Sequence, residues 1–203
     1  MYTLYLIAIV AEAMSGALMG IQRGMDRFGL AFVGSVTALG GGTLRDLLLD
    51  HHPVGWIAHP EYIVITLIAA TMASATATLL GRMKQLFVTV DALGLAAFAV
   101  IGCDIGVAAG QSFLIIVISG AITGIGGGML RDLLCNEIPI VLREELYASV
   151  AFLTGALYVG LLYAGVGAEW AAIAAIGAGF AMRMLSVRFG WRMRKFGPED
   201  INR

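Results

Sequence analysis

The chain has 203 residues, 59% of them hydrophobic and 13% charged, with a mean hydropathy of +0.87 and a formal net charge of −1. A soluble domain carries about 25% charged residues; this apolar surplus exceeds what a single core can bury, and the chain is expected to lie in lipid. The near-neutral charge and the lack of a recognition module argue against nucleic acid as a partner, and no nucleophile–base arrangement points to an enzyme.

A membrane-spanning helix needs about 20 mostly apolar residues, and the places where charge is missing mark seven. The first is expected over 2–22, with Glu12 at its middle and no basic segment before it, unlike a cleaved signal. The second, over 28–48, ends in T-A-L-G-G-G-T-L-R-D-L-L, residues 37–48. His51, His52 and His59 follow it; they read as a solvated loop, and no metal is expected. The third covers 62–81. The fourth, over 87–109, carries Asp91 and Asp104. The fifth, over 112–134, ends in T-G-I-G-G-G-M-L-R-D-L-L, residues 123–134. The sixth covers 146–165. The seventh, over 169–188, reaches full length if Arg183 snorkels. The basic residues Arg188, Arg192, Arg194 and Lys195 then suit contact with anionic membrane lipid. Cys103 and Cys135 form no disulfide framework.

The two glycine-rich stretches agree at nine of twelve positions, offset by 86 residues. Pro53 matches Pro139, Gly16 matches Gly102 and Gly20 matches Gly106 at the same offset, so a duplication is the natural reading. The fold expected is an all-α membrane protein with an inverted repeat. Residues 1–86 form the first three-helix unit, 87–168 the second, and 169–203 the seventh helix with a basic cytoplasmic tail. Three helices per unit is an odd number, so the second unit enters the membrane upside down. Twelve of the thirteen Lys and Arg then fall on the side of the C-terminus, with Arg45 the exception. That places the C-terminus in the cytoplasm and the N-terminus outside.

Three adjacent glycines are each about 1 kcal/mol worse than Ala inside a helix. The run is expected to loosen, bend or interrupt its helix, with the freed carbonyls facing a water-filled path. Gly40, Gly41, Gly42, Gly126, Gly127 and Gly128, with the hydroxyls of Thr37, Thr43, Ser119 and Thr123, are the candidate pore lining for a monovalent cation. Close helix packing is the competing reading. Arg45 and Arg131 are candidate gates or interfacial tethers. Asp46 and Asp132 are expected to hold the arginines or cap backbone. Adjacent side chains point about 100° apart on a helix, so the pairs need not close on themselves. Glu12, Asp91 and Asp104 are not repeat partners, which argues against one shared ion site; structural hydrogen bonds or subunit contacts are favoured.

The doubled G-G-G-x-L-R-D-L-L, with E-A-M-S-G-A-L at 12–18 and D-A-L-G-L-A-A-F-A-V-I-G at 91–102, resembles the prokaryotic branch of the TRIC family, the trimeric intracellular cation channels. The resemblance implies a homotrimer in a bacterial inner membrane, with an hourglass pore for K⁺ or Na⁺ in each protomer. It also implies that the second and fifth helices bend at their glycines, and that no cofactor is needed beyond permeant ions and bound lipid. The lipid-contacting Lys-Glu-Val motif of animal members is absent. Bacterial relatives of this type also carry the label glycine transporter, which keeps a small-solute carrier as the alternative.

Overall fold

In a computed structural model of the protein, residues 2–80, 83–143 and 145–191 are described. Arg82, Arg192, Arg194, Lys195 and Arg203, used above for orientation and lipid contact, lie outside them. The described chain is helical: α1 (Tyr2–Gln22), α2 (Arg27–Leu48), α3 (Gly55–Ala58), α4 (Glu61–Leu80), α5 (Met83–Ala108), α6 (Phe113–Leu134), α7 (Ile140–Arg143), α8 (Glu145–Tyr163) and α9 (Ala168–Phe189). The seven expected helices correspond to α1, α2, α4, α5, α6, α8 and α9. The fourth begins four residues earlier than expected, at Met83, and carries Lys84 with its side chain exposed.

Five of these, within α1, α5, α6, α8 and α9, are long and apolar enough to cross a membrane. The five glycines and Arg45 of α2 lower its mean hydropathy, and the described apolar stretch of α4 is Glu61–Ala75. The protein is thus an all-helical, multi-pass membrane protein.

Burial follows the same logic. Phe28, Leu48, Val64, Ile68, Met72, Leu114 and Trp170 are exposed, while the interior is built on small residues such as Ala8, Ala13, Ala70, Ala92, Ala96 and Ala99. Arg131, Glu12, Thr37, Thr66 and Thr123 are among the largest fully buried side chains. Bulky apolar groups outside and small residues with a few paired polar groups inside suit a lipid solvent.

Glycines set the helix spacing. A Cβ at Gly16 would come within 2.8 Å of the Gly34 Cα, and one at Gly102 within 2.7 Å of the Ser119 carbonyl oxygen. These are the crossings of α1 with α2 and of α5 with α6. α4 packs on α1 and α2, α8 on α5 and α6, and α9 against α5 and α8. The helix ends repeat as well. Gly24 and Gly110 both turn into the left-handed region, at φ +68° and +66°, and Asp50 and Asn136 do so at +53° and +54°. Each pair is 86 residues apart.

Candidate functional site

α2 and α6 cross at their glycine runs, and the two sides of the crossing mirror each other. A Cβ at Gly40 would meet the Cδ1 of Leu130 at 2.5 Å, and one at Gly126 would meet the Cδ1 of Leu44 at 3.1 Å. A Cβ at Gly41 would overlap the carbonyl oxygen of Thr123, and one at Gly127 the carbonyl oxygen of Thr37. The third glycine lies beneath the arginine of its own helix, and Gly128 also beneath the Tyr147 hydroxyl, 2.9 Å from where a Cβ would stand. Over Gly42 lies an Nη2 of Arg45 at 3.6 Å, and over Gly128 an Nη2 of Arg131 at 3.5 Å, both measured from where a Cβ would stand. So the first glycine receives a leucine, the second a backbone carbonyl, and the third seats an arginine folded back along the helix.

The expected interruption does not occur: α2 and α6 stay helical from end to end. A freed backbone group in an apolar interior costs several kcal/mol, more than the propensity deficit of a glycine, and the close crossing recovers dispersion and Cα–H···O contact. The hydroxyls are also committed to the backbone. Thr37 donates to the carbonyl of Val33 at 2.6 Å, Thr123 to Ser119 at 2.7 Å, and Thr43 to Leu39 at 2.8 Å. Ser119 donates to the carbonyl of Gly102 at 2.9 Å. Thr43 further accepts from the indole of Trp56 at 3.1 Å.

Both Arg–Asp pairs close on themselves, although the helix angle did not require it. The Arg45 Nε and Nη2 donate to Asp46 Oδ1 at 2.9 and 2.7 Å. The Arg131 Nε donates to Asp132 Oδ1 at 2.9 Å. Long guanidinium arms bend over the missing side chain of Gly42 or Gly128 and so overcome the angular separation. The other carboxylate oxygen reaches forward, as expected of a capping group. Asp46 Oδ2 accepts from the Gly55 amide at 2.9 Å and Asp132 Oδ2 from the Ile140 amide at 2.7 Å. Each aspartate therefore binds its arginine and the first turn of the short helix beyond, α3 or α7. Pro53 and Pro139 lie in these two turns. His51 Nδ1 lies 3.2 Å from Asp46 Oδ1, His52 pairs with Asp50 and His59 with Glu61.

The two arginines differ in what else holds them. Arg131 Nη1 donates to Ser15 Oγ at 2.7 Å and to Asp91 Oδ1 at 2.5 Å. Tyr147 donates to the same Asp91 oxygen at 3.4 Å, and the guanidinium lies 4.8 Å from the centre of the Phe87 ring. Arg45 has Tyr5 nearby, and its Nη1 has no hydrogen-bond partner among the described residues. Glu12 is buried beside Gly94, with Asp91, Arg131 and Asp132 in electrostatic reach. The structure gathers Glu12 and Asp91 around Arg131 and gives Asp91 and Asp104 structural hydrogen bonds of the kind favoured for them, Asp104 standing apart and accepting from Tyr158 at 2.7 Å. Sequence reasoning missed Ser15 and Tyr147. Ser15 lies three residues after Glu12, which was a usable sign; Tyr147 falls opposite Glu61 in the repeat and gave none.

A cavity of about 660 Å³ leads to this cluster from the end of the bundle that holds Gln22, Lys84, Arg143 and Trp191, and Asp91 forms part of its wall. Among the described residues no group of acids, His or Cys is placed to hold a metal ion. Cys103 and Cys135 are free and buried.

The family model described as glycine transporter matches residues 2–78 and 88–163, two segments whose starts lie 86 residues apart. The UPF0126 inner membrane protein YadS of Escherichia coli (strain K12) is 34% identical over 204 residues, covering 100% of this chain and 99% of that one. Among solved structures, the TRIC trimeric intracellular cation channel orthologue from Rhodobacter sphaeroides superposes with a TM-score of 0.89 at 34% identity, covering 94% of this chain and 98% of that one. A prokaryotic TRIC channel in 0.5 M KCl gives 0.87 at 30% identity, with 95% and 100% covered.

Proposed function

Since the chain belongs to the TRIC family, the family whose model is described as glycine transporter, we propose that it is a monovalent cation channel of the inner membrane with a pore in each protomer of a homotrimer. The observation that carries this reading is the likeness, over 94% of the chain, to a solved trimeric cation channel. The buried charges support it, because an ionisable group in a membrane interior is costly and is retained at ion pathways.

Seven helices span the membrane in this reading: α1, α2 and α4 form one unit, α5, α6 and α8 its inverted twin, and α9 stands alone. The matched crossings, helix ends and Arg–Asp caps support the pairing. Arg45 then faces the outer mouth and Arg131 the cytoplasmic one, with the C-terminus inside. The pore runs past the α2–α6 crossing, with Thr37, Gly40, Gly41, Gly42 and Thr43 on one side and Ser119, Thr123, Gly126, Gly127 and Gly128 on the other. The glycines of α2 and α6 meet in backbone contact, and Asp91, which holds Arg131, lines the cavity. Conduction requires α2 and α6 to part. A basic side chain on a cation path is a barrier, so Arg45 and Arg131 act as gates and Asp46 and Asp132 as the groups that hold them.

K⁺ and Na⁺ are the permeant ions in this reading. The family model's description favours one alternative, a carrier for glycine. Such a carrier needs an occluded site with a clamp for a carboxylate and an amine. Planar-bilayer recording in a K⁺ gradient, beside uptake of labelled glycine into liposomes, separates the two. Unitary currents reversing near the K⁺ potential are expected. Saturable glycine uptake without unitary current would replace the channel by the carrier.

A further inference from the structure

Glu12 is the buried acid that neither Arg–Asp pair uses. It is 1% exposed, and neither of its carboxylate oxygens has a hydrogen-bond partner among the described residues. Its seat is made by Gly94, where a Cβ would lie 2.5 Å from the Glu12 Cγ and 2.6 Å from its Cδ. Three residues along α1 stands Ser15, and three residues back along α5 stands Asp91; residues so spaced are neighbours on one helix face, about 5–6 Å apart. Ser15 and Asp91 are already joined through the shared Nη1 of Arg131. Glu12, Asp91 and Asp132 are three carboxylates facing one guanidinium. An uncompensated buried carboxylate costs several kcal/mol, so Glu12 is neutralised either by a proton or by a cation held at its side.

We propose that Glu12, with Ser15 and Asp91, forms a binding site for one monovalent cation between α1 and α5, reached through the cavity that Asp91 lines. The proposal rests on the cation-path reading above and gives that path a specific resting point. A hard divalent ion is a poor occupant: two carboxylates and a hydroxyl, with Asp91 and Ser15 already shared with Arg131, fall short of the charge and oxygen count that Ca²⁺ takes. Lys84, Arg143 and Arg183 on the cavity wall repel a divalent ion more strongly than a monovalent one. The bound cation shares Asp91 with Arg131, so its arrival loosens the arginine's hold, and site occupancy and arginine release are linked.

The test is thermal unfolding of the purified full chain in detergent, with KCl replacing N-methylglucamine chloride at constant ionic strength. For wild type the midpoint temperature is expected to rise with K⁺ and saturate. E12Q, which keeps the shape and removes the charge, is expected to abolish the rise. Gly94→Ala, which crowds the carboxylate, is expected to move the half-saturating K⁺ concentration up at least tenfold. An identical K⁺ response in E12Q overturns the site, as does stabilisation by acid pH alone with no response to K⁺. Should E12Q not fold, Ser15→Ala decides: a threefold or greater shift in half-saturation supports the site, and an unchanged value overturns it. A K⁺ response in a wild-type protein that passes no current would sink the channel reading and leave the site standing.

Discussion

Each glycine of the doubled run has its own neighbour, and the three are not interchangeable. At Gly41 a methyl group would overlap the backbone of Thr123, which cannot move without its helix. At Gly42 the nearest atom is 3.6 Å away, the tip of a flexible arginine. Gly41→Ala is therefore expected to destabilise by about 1–3 kcal/mol, the usual range for overpacking. Gly42→Ala is expected to be neutral or stabilising by a few tenths of a kcal/mol, because alanine is the better helix former. Thermal unfolding in detergent checks both, and equal losses would refute the assignment. The sequence made the run conspicuous, yet what each glycine does depends on the facing helix. The intrahelical cost pointed to a break at residues 40–42, whereas the packing against Thr123 and Leu130 keeps the helix whole. The same blindness affected Thr37 and Thr123, whose hydroxyls turn back to their own helices.

At the level of the helix, R-D-L-L is an ending. After Asp46 the chain turns through Asp50, the His51 amide donates to the Asp46 carbonyl at 2.8 Å, and the Asp46 side chain caps α3. After Asp132 it turns through Asn136, the Glu137 amide donates to Asp132 at 2.8 Å, and the side chain caps α7. Asp46→Asn and Asp132→Asn keep an oxygen for the cap and remove the charge. Breaking a buried ion pair costs about 3–5 kcal/mol. The full cost is expected for Asp46→Asn, because Asp46 is the carboxylate that holds Arg45. A smaller cost is expected for Asp132→Asn, because Arg131 keeps Asp91 and Ser15. Chemical unfolding of the two variants ranks them, and the reverse order would disprove the argument. The long helices were legible in the spacing of charge and in Pro53 and Pro139. The short helices α3 and α7 were not, since four residues carry no period. That the aspartates hold the arginines was legible; that each arginine reaches its own neighbour was not, because it needs the empty space above Gly42 and Gly128.

Across the whole molecule the two halves agree in skeleton and differ in charge. Position by position the repeat maps Asp91 onto Tyr5 and Ser15 onto Ile101, so the half containing Arg131 is the more tightly fastened. In the channel reading, Asp91→Asn is expected to raise open probability severalfold in bilayer recordings, whereas Tyr5→Phe has little effect; an unchanged open probability in Asp91→Asn would remove Arg131 as a latch. The duplication was visible in the sequence because offset and motif survive together. The meeting of Glu12, Ser15, Asp91 and Arg131 was not, because it joins both halves and follows no repeat. One consequence lies in the α2–α6 contact itself. Two rods that touch at bare backbone, with one leucine of each seated on a glycine of the other, behave like the blades of a pair of scissors. Widening their angle spreads both ends in the same stroke. A rocking carrier must seal one entrance as it unseals the other, and a pivot of this form is poorly suited to that alternation.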